Sequence, residues 1–153
     1  MIFSKTKVTP FLFFILLVFV GGCDSTKLSE TPISQFFGVW ELEGRKMFNG
    51  IQIQISEKDN KNKFIGKIIK LNDNKYIQMF MDSGDTWISE ISRKSNYQFE
   101  LTEKKIGSQL FSLYGQSTST NFNVQFIDKS TFGLSPNNLD PEKSTIVYKR
   151  VKN

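Results

Sequence analysis

The chain contains no histidine and a single cysteine, Cys23, in 153 residues. Without histidine there is no Ser-His-Asp or Cys-His catalysis and no His-ligated metal centre. One cysteine forms no internal disulfide, so packing alone must hold the fold. The only Ser-x-x-Lys spacing is Ser4–Lys7, and there is no Gly-rich phosphate loop. No segment after residue 40 carries a sustained helical period. Dense charge of one sign is also missing. The basic residues are scattered, as in Lys58, Lys61, Lys63, Lys67 and Lys70, and cluster only at Lys149-Arg150-Val151-Lys152. A nucleic-acid surface needs a denser basic stripe with aromatic platforms. The net charge of +5 therefore reads as a solvated surface, with contact to anionic lipid heads as the functional alternative.

Long apolar sequence occurs once. Lys5 and Lys7 precede the unbroken run Phe11–Val20, and Gly21-Gly22 stand directly before Cys23. A short basic region, an apolar run and small residues are the layout of a secretory signal. The run is too short to cross a bilayer, which takes about 20 residues. Polar residues follow Cys23 at once. Removing residues 1–22 leaves 18 basic and 15 acidic residues, a net of +3. The remaining 131 residues suit one domain with a real core.

Val20-Gly21-Gly22-Cys23 resembles the lipobox of bacterial lipoproteins. The resemblance implies cleavage between Gly22 and Cys23, a diacylglycerol on the Cys23 sulfur, and a further acyl chain such as palmitate on the new amino group. Two or more chains anchor stably, because each buried methylene contributes about 0.8 kcal/mol. The implied place is the cell envelope, on either the inner or the outer membrane. Asp24 resembles the inner-membrane retention signal of enteric lipoproteins, although that rule does not extend to all bacteria.

Residues 23–34 read as the lipidated N-terminus and a polar tether, and 35–153 as the folded domain. Thr31-Pro32 is expected to open a short helix, with Thr31 as cap and Pro32 at its first position. From Gly38 the pattern has period two. Trp40 and Leu42 alternate with Glu41 and Glu43; Ile51, Ile53 and Ile55 alternate with Gln52, Gln54 and Ser56. Tyr97, Phe99 and Leu101 share a face, as do Phe122, Val124 and Phe126. More uniformly apolar runs, read as further strands, are Phe64–Leu71, Tyr76–Met81, Trp87–Ile91, Leu110–Tyr114 and Ile146–Val151. Asn-, Asp- and Gly-rich clusters separate the runs and favour tight reversal. The longest irregular stretch, Ser135–Ser144, is expected to be a loop. Eight to ten short strands at this spacing predict an all-β, antiparallel up-and-down barrel.

Phe37-Gly38-Val39-Trp40, at the start of the first strand, resembles the opening of lipocalin-like (calycin-type) barrels. That resemblance implies that Trp40 plugs the closed end and that Arg150, or Lys149, from the last strand lies over its ring. Gly38, Trp40 and Arg150 would then be structural residues. The expected role is a non-catalytic binding module, with no cofactor, no metal site and no nucleic-acid partner. Asp82 and Asp85 flank a turn, and Glu41 and Glu43 face water, so neither pair reads as catalytic. Two readings of the aromatic interior stay open. A cavity would hold a small apolar ligand. A filled core would make the barrel a scaffold whose loops bind another envelope protein as inhibitor, immunity factor or complex subunit.

Overall fold

The computed structural model describes residues 30–58, 63–136 and 139–152. Eight antiparallel strands close on themselves in sequence order. They are β1 (Gly38–Glu43), β2 (Gln52–Lys58), β3 (Lys63–Lys70), β4 (Thr86–Arg93), β5 (Gln98–Lys104), β6 (Ser119–Asp128), β7 (Thr131–Pro136) and β8 (Val147–Arg150). Closure comes from β1 against β8, with Trp40 opposite Arg150 and Leu42 opposite Tyr148. An all-β up-and-down barrel therefore stands, consistent with a lipocalin-like barrel. Its strand count is eight, at the lower end of the expected eight to ten.

Period two explains which side chains fill the barrel. Trp40 and Leu42 on β1, Ile53 and Ile55 on β2, Phe99 and Leu101 on β5, and Phe132 and Leu134 on β7 are all buried. Register shifts on β3, β4 and β6 break strict alternation, as bulges do. Trp87 and Ile88 are neighbours on β4, and both are buried.

Two segments expected as strands are short helices. They are α1 (Lys75–Phe80) and α2 (Ser108–Leu113). The Asn74 side chain accepts the backbone N–H groups of Tyr76 and Ile77 and starts α1. Gly107, at φ +66°, starts α2 in a left-handed conformation that suits glycine. A closed eight-strand barrel has no edge left for a ninth strand to pair with. Each helix is under two turns, too short for a 3.6-residue period to declare itself. The expected loop Ser135–Ser144 likewise begins inside β7 and holds a 3-10 turn over Pro141–Lys143, capped by Asp140.

The expected helix start at Thr31-Pro32 is a 3-10 turn over Ile33–Phe36. Pro32 is extended, and no side-chain cap bond forms. Thr31 is held otherwise. Its N–H donates to Asn96 O at 2.8 Å and its carbonyl accepts from Arg93 at 2.7 Å. Arg93 also pairs with Glu30 at 3.2 Å. The chain thus joins the barrel from Glu30 onward, earlier than the tether boundary at residue 34. Residues 24–29 of that tether lie outside the described residues.

Strand direction gives the barrel two unlike ends. One is closed by the 3-10 turn over Ile33–Phe36 and carries the β4–β5 and β6–β7 turns. The opposite end, the mouth, carries the β1–β2 turn, α1, α2 and the Pro141–Lys143 turn.

Candidate functional site

At the closed end the structure brings Gly38, Trp40 and Arg150 together. The Arg150 guanidinium lies 4.1 Å from the Trp40 ring centroid, a cation over a π face. It also donates to Phe37 O at 2.7 Å and Gln35 O at 2.6 Å. The Trp40 indole N–H donates to Phe36 O at 2.6 Å. Gly38 has φ +124°, and a Cβ there would stand 2.6 Å from Arg150 Nη1. A side chain at this position would therefore be strained and would push the arginine off the ring. Lys149 takes no part, for it pairs with Glu43 on the outer wall at 2.7 Å.

From Trp40 an aromatic column climbs the interior. Phe132 is 4.7 Å from Trp40 and 5.1 Å from Tyr148, centroid to centroid. Phe36 packs on Phe99 at 4.9 Å and on Phe132 at 5.1 Å. Trp40, Leu42, Phe99, Leu101, Val124, Phe132, Leu134 and Tyr148 each show 0% exposure. A void large enough for water would leave accessible area on the residues lining it. The barrel is therefore filled at these positions, with no water-sized void against them.

Near the mouth a polar chain interrupts the apolar filling. Trp87 Nε1 donates to the Tyr148 hydroxyl at 2.8 Å, and that hydroxyl donates to Glu103 Oε1 at 2.9 Å. Glu103 Oε2 accepts from the Arg45 guanidinium in an ion pair. Glu103 is 2% exposed. Arg45 stands over the rings of Phe48, Phe122 and Trp87 at 4.5, 5.5 and 5.8 Å. Burial is the main force pushing the Tyr148 pKa well above its ordinary value, and the Glu103 charge adds to it. Tyr148 is thus a neutral phenol that donates to Glu103 and accepts from Trp87. Among the described residues no buried side-chain polar atom lacks a hydrogen-bond partner, as a buried network requires.

Glu103 is the functional-type residue that sequence reasoning missed. The signal was present, because extending the Phe99, Leu101 alternation by two residues points Glu103 inward. Of the carboxylates considered from sequence, Glu41 accepts from Gln52 Nε2 at 2.7 Å on the outer wall. Asp85 accepts the Asp82 N–H at 2.9 Å across an exposed turn. Among the described residues no three acidic or cysteine side chains gather to hold a metal. Gly22 and Cys23 lie outside the described residues.

The mouth is covered by the Arg45–Phe48 turn and flanked by α1 and α2. Of the α1 residues only Ile77 is buried, and of the α2 residues none. Large apolar side chains stand in solvent instead: Tyr76 68%, Met79 72%, Phe80 60%, Leu110 58%, Leu113 82% and Tyr114 75% exposed. Between the helices lies an open cleft of about 540 Å³, lined among others by Met79, Phe80, Lys105, Ile106 and Leu110. The chain matches no protein-family model, no curated protein and no solved structure.

Proposed function

We propose that this chain is a lipid-anchored, non-catalytic interaction module of the bacterial cell envelope, in which a lipocalin-like barrel is the scaffold and its mouth binds a partner protein. Cys23 carries the acyl chains and Gly22–Cys23 is the cleavage site, on the strength of the basic, apolar and small-residue order before Cys23. The observation that carries the protein-binding part is the concentration of exposed large apolar side chains on α1 and α2. Patches of this kind on a soluble face mark interaction sites. A closed barrel with a filled interior gives these residues a rigid base, and the buried Glu103 is committed to Arg45 and Tyr148.

The partner presents apolar side chains at the centre of its contact and charges of both signs at its rim, to meet the exposed Lys75, Lys104 and Lys105 and the exposed Asp82 and Asp85. The anchoring bilayer is a poorer fit for the mouth. The chain enters the barrel at Glu30 and Thr31, which are fastened to Arg93 and Asn96 at the closed end.

The test compares complexes formed in envelope extracts by the wild-type protein and by a Phe80→Asp/Leu113→Asp variant. The expected result is a defined complex that the variant loses while its melting temperature stays unchanged. A complex insensitive to both substitutions would refute the mouth as the docking face. A small apolar ligand remains the second reading, favoured by the volume of the α1–α2 cleft, which falls in the range of small-molecule sites. Its place would be that cleft and not the barrel interior.

A further inference from the structure

We infer that the closed end of the barrel is a second contact surface, one that lies against the anionic headgroups of the anchoring membrane. The inference rests on lipid attachment at Cys23. Two independent observations on the folded domain support it.

The first is where the chain enters. Thr31 is bonded to Asn96 in the β4–β5 turn, and Arg93 grips both Thr31 and Glu30. Seven residue steps separate Cys23 from Glu30, a reach of at most about 25 Å. The ten residues of β6 span roughly 34 Å along the strand, or about 25 Å of height at the usual barrel tilt. A taut tether would barely reach the level of the mouth, so the closed end is the end the anchor holds near the bilayer.

The second is charge. Lys58 and Lys63 end β2 and begin β3 at the closed end, Lys129 sits in the β6–β7 turn, and Lys152 follows β8. All four are exposed, and none is in an ion pair among the described residues. Arg150 adds a fifth positive charge there. Glu57 and Asp128 are the acids beside them, while Glu30 pairs with Arg93 and Glu100 with Lys94. Among the described residues the closed end therefore holds a net positive face. The mouth is nearly balanced: Lys46, Lys70, Lys75, Lys104, Lys105 and Lys143 stand against Asp73, Asp82, Asp85, Asp140 and Glu142. Lysines within a Debye length of an anionic leaflet each favour contact by roughly fivefold. The same orientation turns the apolar α1–α2 face away from the bilayer, where a partner protein can reach it.

The experiment uses the purified, lipid-modified protein in nanodiscs of phosphatidylglycerol or of phosphatidylcholine, read by hydrogen exchange with mass spectrometry. The expected result is exchange slowed several-fold at residues 94–97 and 128–131 in the anionic discs only, with residues 45–50 and 82–85 unchanged. A Lys58→Glu/Lys63→Glu/Lys129→Glu variant is expected to lose that protection; all three sites are exposed, and its melting temperature serves as the folding control. Protection at the mouth, or protection indifferent to headgroup charge, overturns the inference and leaves the anchor intact. An intact mass without acyl chains on Cys23 overturns the anchor, and the closed-end contact with it.

Discussion

Removing either partner of the buried Glu103–Arg45 pair should unsettle the mouth of the barrel. Glu103 accepts from the Tyr148 hydroxyl and from the Arg45 guanidinium at a site 2% exposed to solvent. In Glu103→Ala the Tyr148 hydroxyl loses its acceptor, and an orphaned buried donor costs about 1–3 kcal/mol. Arg45 also loses its partner. Breaking a buried pair from one side costs about 3–5 kcal/mol. The Arg45 side chain keeps 22% exposure and can turn to water, which puts the total at about 3 kcal/mol. Arg45→Ala has no such escape, because the stranded carboxylate lies deeper, and it should cost about 3–5 kcal/mol. Replacing both residues with methionine removes both charges and keeps volume, so the double variant should lose less than the two single losses added together. Urea unfolding followed through Trp40 and Trp87 fluorescence measures all three changes. The reasoning is refuted if each single variant loses under about 1 kcal/mol and the losses add.

Four further outcomes follow from the same packing. Trp40→Ala empties the foot of the aromatic column and should cost about 3–5 kcal/mol by urea unfolding. Arg150→Ala should cost about 1–2 kcal/mol through the lost cation–π contact and carbonyl bonds, and a loss as large as that of Trp40→Ala would contradict that ordering. The raised Tyr148 pKa means that the folded state holds the phenol proton more tightly than the unfolded chain does. Its contribution is complete below the unfolded value near 10 and is lost as pH rises above it, at about 1.4 kcal/mol per pH unit. Wild-type stability should therefore fall more steeply with alkaline pH than that of Tyr148→Phe, and parallel curves would refute the burial argument. Native mass spectrometry of the purified domain should find no ligand seated in the barrel interior. A bound species that survives substitution of Phe80 and Leu110 but is lost on changing Leu101 would place it there.

The strands were legible because alternation is a local signal. Ile51 to Ile55 and Phe122 to Phe126 each show one apolar face and one polar face. The helices were not legible, because a segment such as Tyr76–Met81 is as apolar as a strand. It becomes helical for reasons found elsewhere, in the Asn74 cap and in a barrel already closed by eight strands. The meeting of Gly38, Trp40 and Arg150 depends on β1 pairing with β8, a contact that spans almost the whole domain. Only the family likeness suggested it. Glu103 was passed over because its neighbours Thr102 and Lys104 make the segment read as a polar strand end. Its burial depends on a cation from a different turn, Arg45, which no local pattern connects to it. The exposed side chains of α1 and α2 were read as belonging to strands, since apolar composition alone does not tell a barrel wall from a docking face.

The most direct test places a photo-crosslinking amino acid at position 113 on α2 or at position 63 on β3 in the full-length protein expressed in intact cells. The expected result is a discrete protein adduct from position 113 and lipid adducts from position 63. Lipid adducts from position 113, with a protein adduct from position 63, would contradict it.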